Sequence, residues 1–355
     1  MSWKIKLSLV LVCCVLLAAC ESLRYYGQAV NGQLYILTHR KPIPRLLKDA
    51  DTSPALKARL QSIERIRTFA ATQLHLPLGS HYSTYLDLQR PYVVWNVFAA
   101  PEFSLQPRVW CYPIAGCVSY RGYFNEKSVQ DFAATLTQQG YDVFVGGVAA
   151  YSTLGWFSDP VLNTLINRYE HQLAGLMFHE LAHQVVYIPG ETVFNESFAT
   201  TVERVGLQHW LETADTAAET REELAAEIRQ ELTRQQEFTE LVQAAVADLD
   251  KLYAQPLAEQ DKRLAKAQRI TRLRDDYAVL KSGWQGYGGY DAWFARDLNN
   301  AQLGTVGTYN SLVPAFTTML RQADGDFPLF YQNVRQLKQL KPVERQQKLQ
   351  SLMTQ

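Results

Sequence analysis

His179-Glu180-Leu181-Ala182-His183, followed past a Pro189-Gly190 break by Asn195-Glu196-Ser197-Phe198-Ala199, is the stretch on which the fold and chemistry of this chain turn. Two histidines four apart on a helix share one face, so His179 and His183 can both reach a single ion. Neutral imidazole is a good zinc ligand. Glu180 stands beside the first histidine, where its carboxylate can meet a water on the ion and act as a general base. A catalytic zinc site takes one more protein ligand and keeps one position open. Glu196 is the natural third ligand, because the turn through Ile188-Pro189-Gly190 lets the next helix double back against the first. His171 competes for that role but lies eight residues before His179, about 12 Å along the helix axis, too far for the same ion. His39, His75, His81 and His209 have no partner at ligand spacing and are expected to be structural or exposed.

Outward from this stretch, Asp159-Pro160 offers a helix start with proline at an allowed first-turn position. The spacing predicts a helix from there through Leu173, Met177 and the histidines to Tyr187. Before it, Tyr141 to Val145 is an apolar strand followed by Gly146-Gly147. Glu126 to Gln139 has a helical pattern that stops at Gly140. Val118 to Phe124 and Pro91 to Ala100 are strand-like. Ser53-Pro54 opens a helix through Leu60, Ile63, Ile66, Phe69 and Leu74. Residues from 20 to Leu37 form a short helix or an extended lead-in. Helices and strands in this order give an α+β class.

Downstream the composition changes. From about Thr213 to Lys281, Glu, Gln, Arg, Ala and Leu dominate and glycine disappears. Leu224, Ile228 and Leu232 recur on one face, and Pro256 interrupts the run. Two long helices packed as an antiparallel hairpin are expected. This is either a solvated helical arm or a surface for a cell-envelope protein partner. Gly283 to Gly289 is expected to be a flexible aromatic loop, with final helices from about Asn310 to Leu320 and from Pro328 onward. The expected parts are a leader over 1–19, a catalytic core over 20–212, the charged hairpin over 213–282, and a helical segment over 283–355 that completes the core.

The N-terminus sets the compartment. Lys4 and Lys6 precede an apolar run from Leu7 to Leu17, too short to span a bilayer, where about 20 residues are needed. Leu17-Ala18-Ala19-Cys20 then resembles a bacterial lipobox. The resemblance implies lipidation of Cys20, cleavage before it and a membrane anchor there; the alternative is an ordinary secretory signal with a chance cysteine. Glu21 and Ser22 lack the aspartate linked to inner-membrane retention, which implies the outer membrane, facing the periplasm. Of the five cysteines, Cys111 and Cys117 are left. In an oxidising compartment they read as a short-loop disulfide, the alternative being two buried thiols. With hydrophobic residues at 47%, charged residues at 20% and a net charge of zero, the chain reads as globular. Nothing in the charge suggests a nucleic-acid partner.

Asn195-Glu196-Ser197-Phe198-Ala199-Thr200-Thr201-Val202-Glu203 resembles the third-ligand helix of the gluzincin metallopeptidases, over about residues 175 to 206. Together with the lipobox, Gly146 to Gly155 and Leu298-Asn299-Asn300-Ala301, it also resembles a family of bacterial lipoproteins thought to be aminopeptidases. The resemblance implies a zincin-like core, a Zn2+ cofactor held by His179, His183 and Glu196, and a peptide substrate. It implies that Asn195, Thr200 and Glu203 stand behind the ligands and hold them in place. Thr200 has an ordinary exposed threonine as its alternative, and Glu203 either braces the site or holds a substrate amine. Tyr309 is a candidate transition-state donor from its place in the C-terminal matched region. The strand near Val143 to Tyr151 is either the one that pairs with substrate backbone or a plain core strand. An endopeptidase and a non-catalytic zinc-containing scaffold remain rival readings. No Gly-x-Ser-x-Gly nucleophile motif competes.

Overall fold

The structure, a computed structural model, describes residues 23–112, 116–150, 157–213, 218–306 and 311–353. The leader, Cys20 and Tyr309 therefore lie outside the described residues. Among the described residues no helix is long and apolar enough to cross a membrane.

Helix α1 (residues 23–39) leads into β1 (Lys41–Pro42), α2 (Ile43–Lys48) and α3 (Pro54–Thr72). Then come β2 (Thr84–Leu86), β3 (Val94–Pro101), β4 (Trp110–Tyr112), β5 (Gly116–Val118), β6 (Arg121–Tyr123), α4 (Glu126–Gln138) and β7 (Tyr141–Val148). After β8 (Val161–Leu162) and α5 (Asn163–Ile166), the metal motif is carried by α6 (Glu170–Ala182) and α7 (Thr192–Thr213). The rest is helical: α8 (Ala218–Tyr253), α9 (Glu259–Ser282), α10 (Asp291–Phe294), α11 (Asn300–Leu303), α12 (Val313–Gln322), α13 (Phe327–Gln339) and α14 (Pro342–Met353). The α+β class is met, with helices predominating.

Local chemistry explains several of these boundaries. Ser53 caps α3 by accepting from the Leu56 amide at 3.2 Å, and Pro54 occupies the first turn. Asn125 caps α4 by accepting from the Ser128 amide at 2.9 Å. One expected boundary is wrong. Asp159-Pro160 does not start the metal-bearing helix. Val161 and Leu162 instead pair in parallel with β2, and the chain breaks at Asn167 before α6 starts at Glu170. The far end also comes early: α6 stops at Ala182, with His183 in the capping position at φ −61° and ψ −21°. Apolar periodicity was continuous across both breaks because these short pieces are buried too.

The main core packs α2, α3, α6 and α7 against α12, α13 and α14. Phe178, Phe198, Phe316 and Phe330 lie at its centre, each fully buried. Burying such rings contributes about 1.5–3 kcal/mol each. The close contact of α6 with α7 depends on Gly206, where an added Cβ would stand 2.9 Å from the Phe178 ring and 2.7 Å from Leu74.

Three small sheets flank this core. β3 is central in the order β6-β3-β7, all antiparallel, with α4 packed on one face. β7 is thus an edge strand, and half of that edge is occupied. The carbonyl of Val143 accepts from Asn299 Nδ2 at 2.9 Å, and that of Val145 from Arg296 Nη1 at 3.1 Å. β4 and β5 form a ribbon in which Cys111 and Cys117 face each other and are joined as a disulfide.

The charged hairpin is more than a solvated arm. Phe238, Val242, Ala245, Leu249 and Tyr253 of α8 face Ile270, Leu273 and Tyr277 of α9, giving it its own core. The stretch expected to be a flexible aromatic loop closes that core. Trp284 is buried and donates to Glu237 at 2.6 Å, and Tyr290 stacks on Phe238 at 4.0 Å. At the hairpin base, Lys266 pairs with Asp142 at 2.6 Å, and the same carboxylate accepts from the Asn300 amide at 2.8 Å.

Candidate metal centre

Two helices and one turn build the site. α6 presents His179 one turn before its end and His183 at its cap, so both rings emerge on the side facing α7. The turn between them is fixed by Asn195, which is 1% exposed. Its Oδ1 accepts from the Ile188 amide and its Nδ2 donates to the Ile188 carbonyl, both at 2.8 Å. Gly190, at φ +81°, takes the left-handed backbone this reversal requires. Asn195 therefore splices the end of one metal-bearing segment to the start of the other, one residue before Glu196.

Glu196 comes back between the two rings. Its Oε2 is 3.2 Å from His179 Nε2, and its Oε1 is 3.8 Å from His183 Nε2. The ligand atoms of His179, His183 and Glu196 all lie within 4.8 Å of one another. Tetrahedral zinc with bonds near 2.0–2.1 Å needs ligand atoms roughly 3.3 Å apart, so the cluster is close to the required size. Its chemistry fits as well. Three carboxylates, Glu180, Glu196 and Glu203, surround two imidazoles, a set whose excess negative charge a divalent cation offsets.

The outer ring nitrogens differ. His179 Nδ1 meets Glu203 Oε2 at 3.0 Å, two helical turns along the face of α7 that carries Glu196. A carboxylate there fixes which nitrogen carries the proton and turns the other toward the metal. Of the two roles expected for Glu203, the geometry provides the brace. His183 Nδ1 is buried and makes no hydrogen bond among the described residues. Thr200 is buried, not exposed, and so stands inside the helix pair.

Electrostatics follow from this packing. Burial opposes a charge on His179, but its bonds to Glu196 and Glu203 hold its proton up to about 10. Burial, helped by the neighbouring charge on His179, takes His183 down to about 4. Glu180 is pushed up to about 7, first by burial and then by the carboxylates of Glu196, Asp159 and Glu203, against the pull of His179. Glu196 is held below the usual carboxylate range despite burial, by the hydrogen bond to His179 and the charges of both rings.

Two residues near Glu180 have no signal in the sequence. The carboxylate of Asp159 and the phenol of Tyr82 both feel its charge. The backbone brings them together: the Tyr82 amide donates to the Asp159 carbonyl at 2.7 Å, and the Asp159 amide to His81 Nδ1 at 3.2 Å. His81 is thus structural, as expected of it. His171 stays away from the site, its Nε2 lying 3.8 Å from Glu231 of the hairpin. A cavity of about 1050 Å3 opens beside it, lined by Phe69, Tyr169, Trp210 and Leu224. No metal-site residue lines that cavity, so its size does not mark the chemistry.

β7, the strand that either pairs with substrate or is plain core, runs on toward the helices of the site. Its continuation, Ala149 and Ala150, packs against the core that carries α6 and α7. Its first half is already hydrogen-bonded by Arg296 and Asn299.

In comparisons with known proteins, a family model described as "Putative aminopeptidase" matches residues 24–349. No curated protein and no solved structure matches the chain.

Proposed function

The chain belongs to that aminopeptidase family, and from this membership we propose that it is a zinc-dependent peptidase with a zincin-like core, of gluzincin type, acting on peptides with a free N-terminus. The observation that carries the reading is the convergence of His179, His183 and Glu196 to metal-ligand spacing, with Glu180 beside them and Glu203 behind His179.

Bound by His179, His183 and Glu196, zinc would supply Lewis acidity and lower the pKa of a coordinated water toward about 7. The protein's own part is mostly proton handling and orientation. Glu203 holds His179 in one tautomer, and Asn195 fixes the turn that sets Glu196. Glu180 takes one proton from the attacking water as its oxygen bonds to the scissile carbonyl carbon. The C–N bond then breaks, and Glu180 hands that proton to the departing amine nitrogen. A carboxyl group poised near neutral pH is suited to both halves of this transfer. The intact Glu180 is what weighs against a pure scaffold, which has no use for that carboxylate.

Zinc content and cleavage of matched free and N-acetylated peptides test the reading. Glu180→Gln is expected to keep the metal and lose hydrolysis. Normal turnover in that variant would sink the mechanism, and equal cleavage of blocked peptides would make the protein an endopeptidase. We further propose anchoring through lipidated Cys20 at the periplasmic face of the outer membrane. Mass spectrometry of the mature N-terminus checks it; an unmodified cysteine or a different cleavage point rejects it.

A further inference from the structure

Helix α1 (residues 23–39) has one face built into the body of the protein. Tyr25 lies under the Arg121 guanidinium at 4.1 Å and against the Tyr123 ring at 5.4 Å. Gln28 Oε1 accepts from the Phe124 amide at 2.8 Å. Gly32 leaves no room for a Cβ against the Phe124 ring, and Ile36 is buried beside Leu86 and Val93. These positions recur at helical spacing, so the helix is held in one rotation about its axis.

A helix docked in this way normally turns a polar side to water. The outward side of α1 is apolar instead. Leu23, Val30 and Leu34 are 76%, 57% and 53% exposed, and Tyr26 and Tyr35 are exposed as well. Their spacing makes one stripe along the whole helix, and an exposed apolar stripe of this kind marks an interaction surface.

Position and charge choose what covers it. Leu23 comes three residues after Cys20, a reach of at most about 10 Å. A lipid on Cys20 would therefore hold the start of α1 at the bilayer surface. The helix is about 25 Å long and is fastened to the body on its other side, so it would lie along that surface. From Ser22 to Lys48 the chain has no Asp or Glu, while Arg24, Lys41, Arg45 and Lys48 are exposed. Such a segment is drawn to anionic headgroups, whereas a second copy laid on the same face would bring like charges together.

We propose that the outward face of α1 docks on an anionic lipid surface beside the anchor, with Leu23, Val30 and Leu34 at the boundary of headgroups and acyl chains and the tyrosines at the level of the headgroups. The proposal rests on the anchoring reading at Cys20. It turns a flexible tether into a two-point attachment, which sets how the body is oriented over the membrane.

The mature wild-type protein is isolated and the mass of its N-terminal peptide is read. It is then combined with vesicles of phosphatidylethanolamine and phosphatidylglycerol whose acyl chains carry a photoactivatable group, and the lipid adducts are mapped by fragmentation. Adducts are expected on Leu23, Val30 and Leu34 and not on Gln28, Gly32 or Ile36. In a second arm Leu23→Asn, Val30→Asn and Leu34→Asn are combined. All three positions are exposed, so Tm, zinc content and peptide turnover should match wild type. Adducts on residues 23–39 should fall about fivefold or more. A lipidated Cys20 with no adducts on α1, or with equal adducts on both its faces, overturns the docking and leaves the anchoring reading standing. So does an unchanged yield in the triple variant, or a stripe shielded from lipid by a second copy or by another protein. An unmodified Cys20 overturns the anchoring reading, and the docking then stands or falls on the wild-type adduct map alone.

Discussion

Glu203→Ala should weaken zinc binding about tenfold while leaving all three ligands in place. In the structure Glu203 Oε2 is 3.0 Å from His179 Nδ1, and its side chain is about one-third exposed (34%). A hydrogen bond to a charged partner contributes about 1.5–3 kcal/mol, and the partial exposure puts this one at the lower end. About 1.4 kcal/mol is a factor of ten in Kd, within the 10–100-fold range for removing such an outer carboxylate from a ligating histidine. The mechanism of the loss is orientation: without Glu203, nothing else among the described contacts fixes the outer nitrogen of His179. Glu203→Gln retains an acceptor oxygen and should lose only about threefold by the same reasoning. Competition against a fluorescent zinc chelator at fixed pH reads both. A Glu203→Ala protein with native circular dichroism and a Kd within twofold of wild type would refute the bracing role.

Three further outcomes follow from the same structure. Zinc binding near pH 7.5 should release about one proton, because His179 holds its proton up to about 10 and must give it up to ligate, whereas His183 is already neutral. Affinity should therefore rise about tenfold per pH unit there, and calorimetry in buffers of differing ionisation enthalpy measures the proton count. Asn195→Ala removes both hydrogen bonds to Ile188 at a site 1% exposed; it should cost about 2–4 kcal/mol in denaturant unfolding and weaken zinc binding, since Glu196 is the next residue. Arg345→Ala leaves Glu191 half-buried without its partner and frees the Leu337 and Leu340 carbonyls, at a cost of about 3–5 kcal/mol with little change in KM.

The site was legible where it is local. Histidines four apart on a helix, a glycine turn and an Asn-Glu pair are short-range signals, and they picked out the three residues whose ligand atoms the structure brings within 4.8 Å of one another. The start of α6 was not legible. β8, α5 and α6 are buried in succession, so apolar spacing runs through the breaks between them, and only pairing with β2 reveals the first as a strand. The hairpin misled through composition: its charges drew attention to Leu224, Ile228 and Leu232, while its core is set by Phe238, Val242, Ala245 and Leu249 further along. Tyr82 and Asp159 were invisible for another reason. They lie 98 and 21 residues before Glu180 and are brought to each other by a backbone hydrogen bond between distant segments, which leaves no periodicity to read.

The side chains on the first half of β7 also bear on how this molecule behaves among its copies. A bare edge strand is a template on which another chain can lay its own backbone. With the Val143 and Val145 carbonyls already bonded to Asn299 and Arg296, an incoming strand would have to displace an amide and a guanidinium before forming a ladder there. Both residues come from the segment that follows the helical hairpin, and Lys266 and Asn300 fasten that segment to Asp142 on the same strand. Loosening the hairpin should then expose an adhesive edge, so its earliest symptom in solution would be self-association, appearing before any loss of the metal.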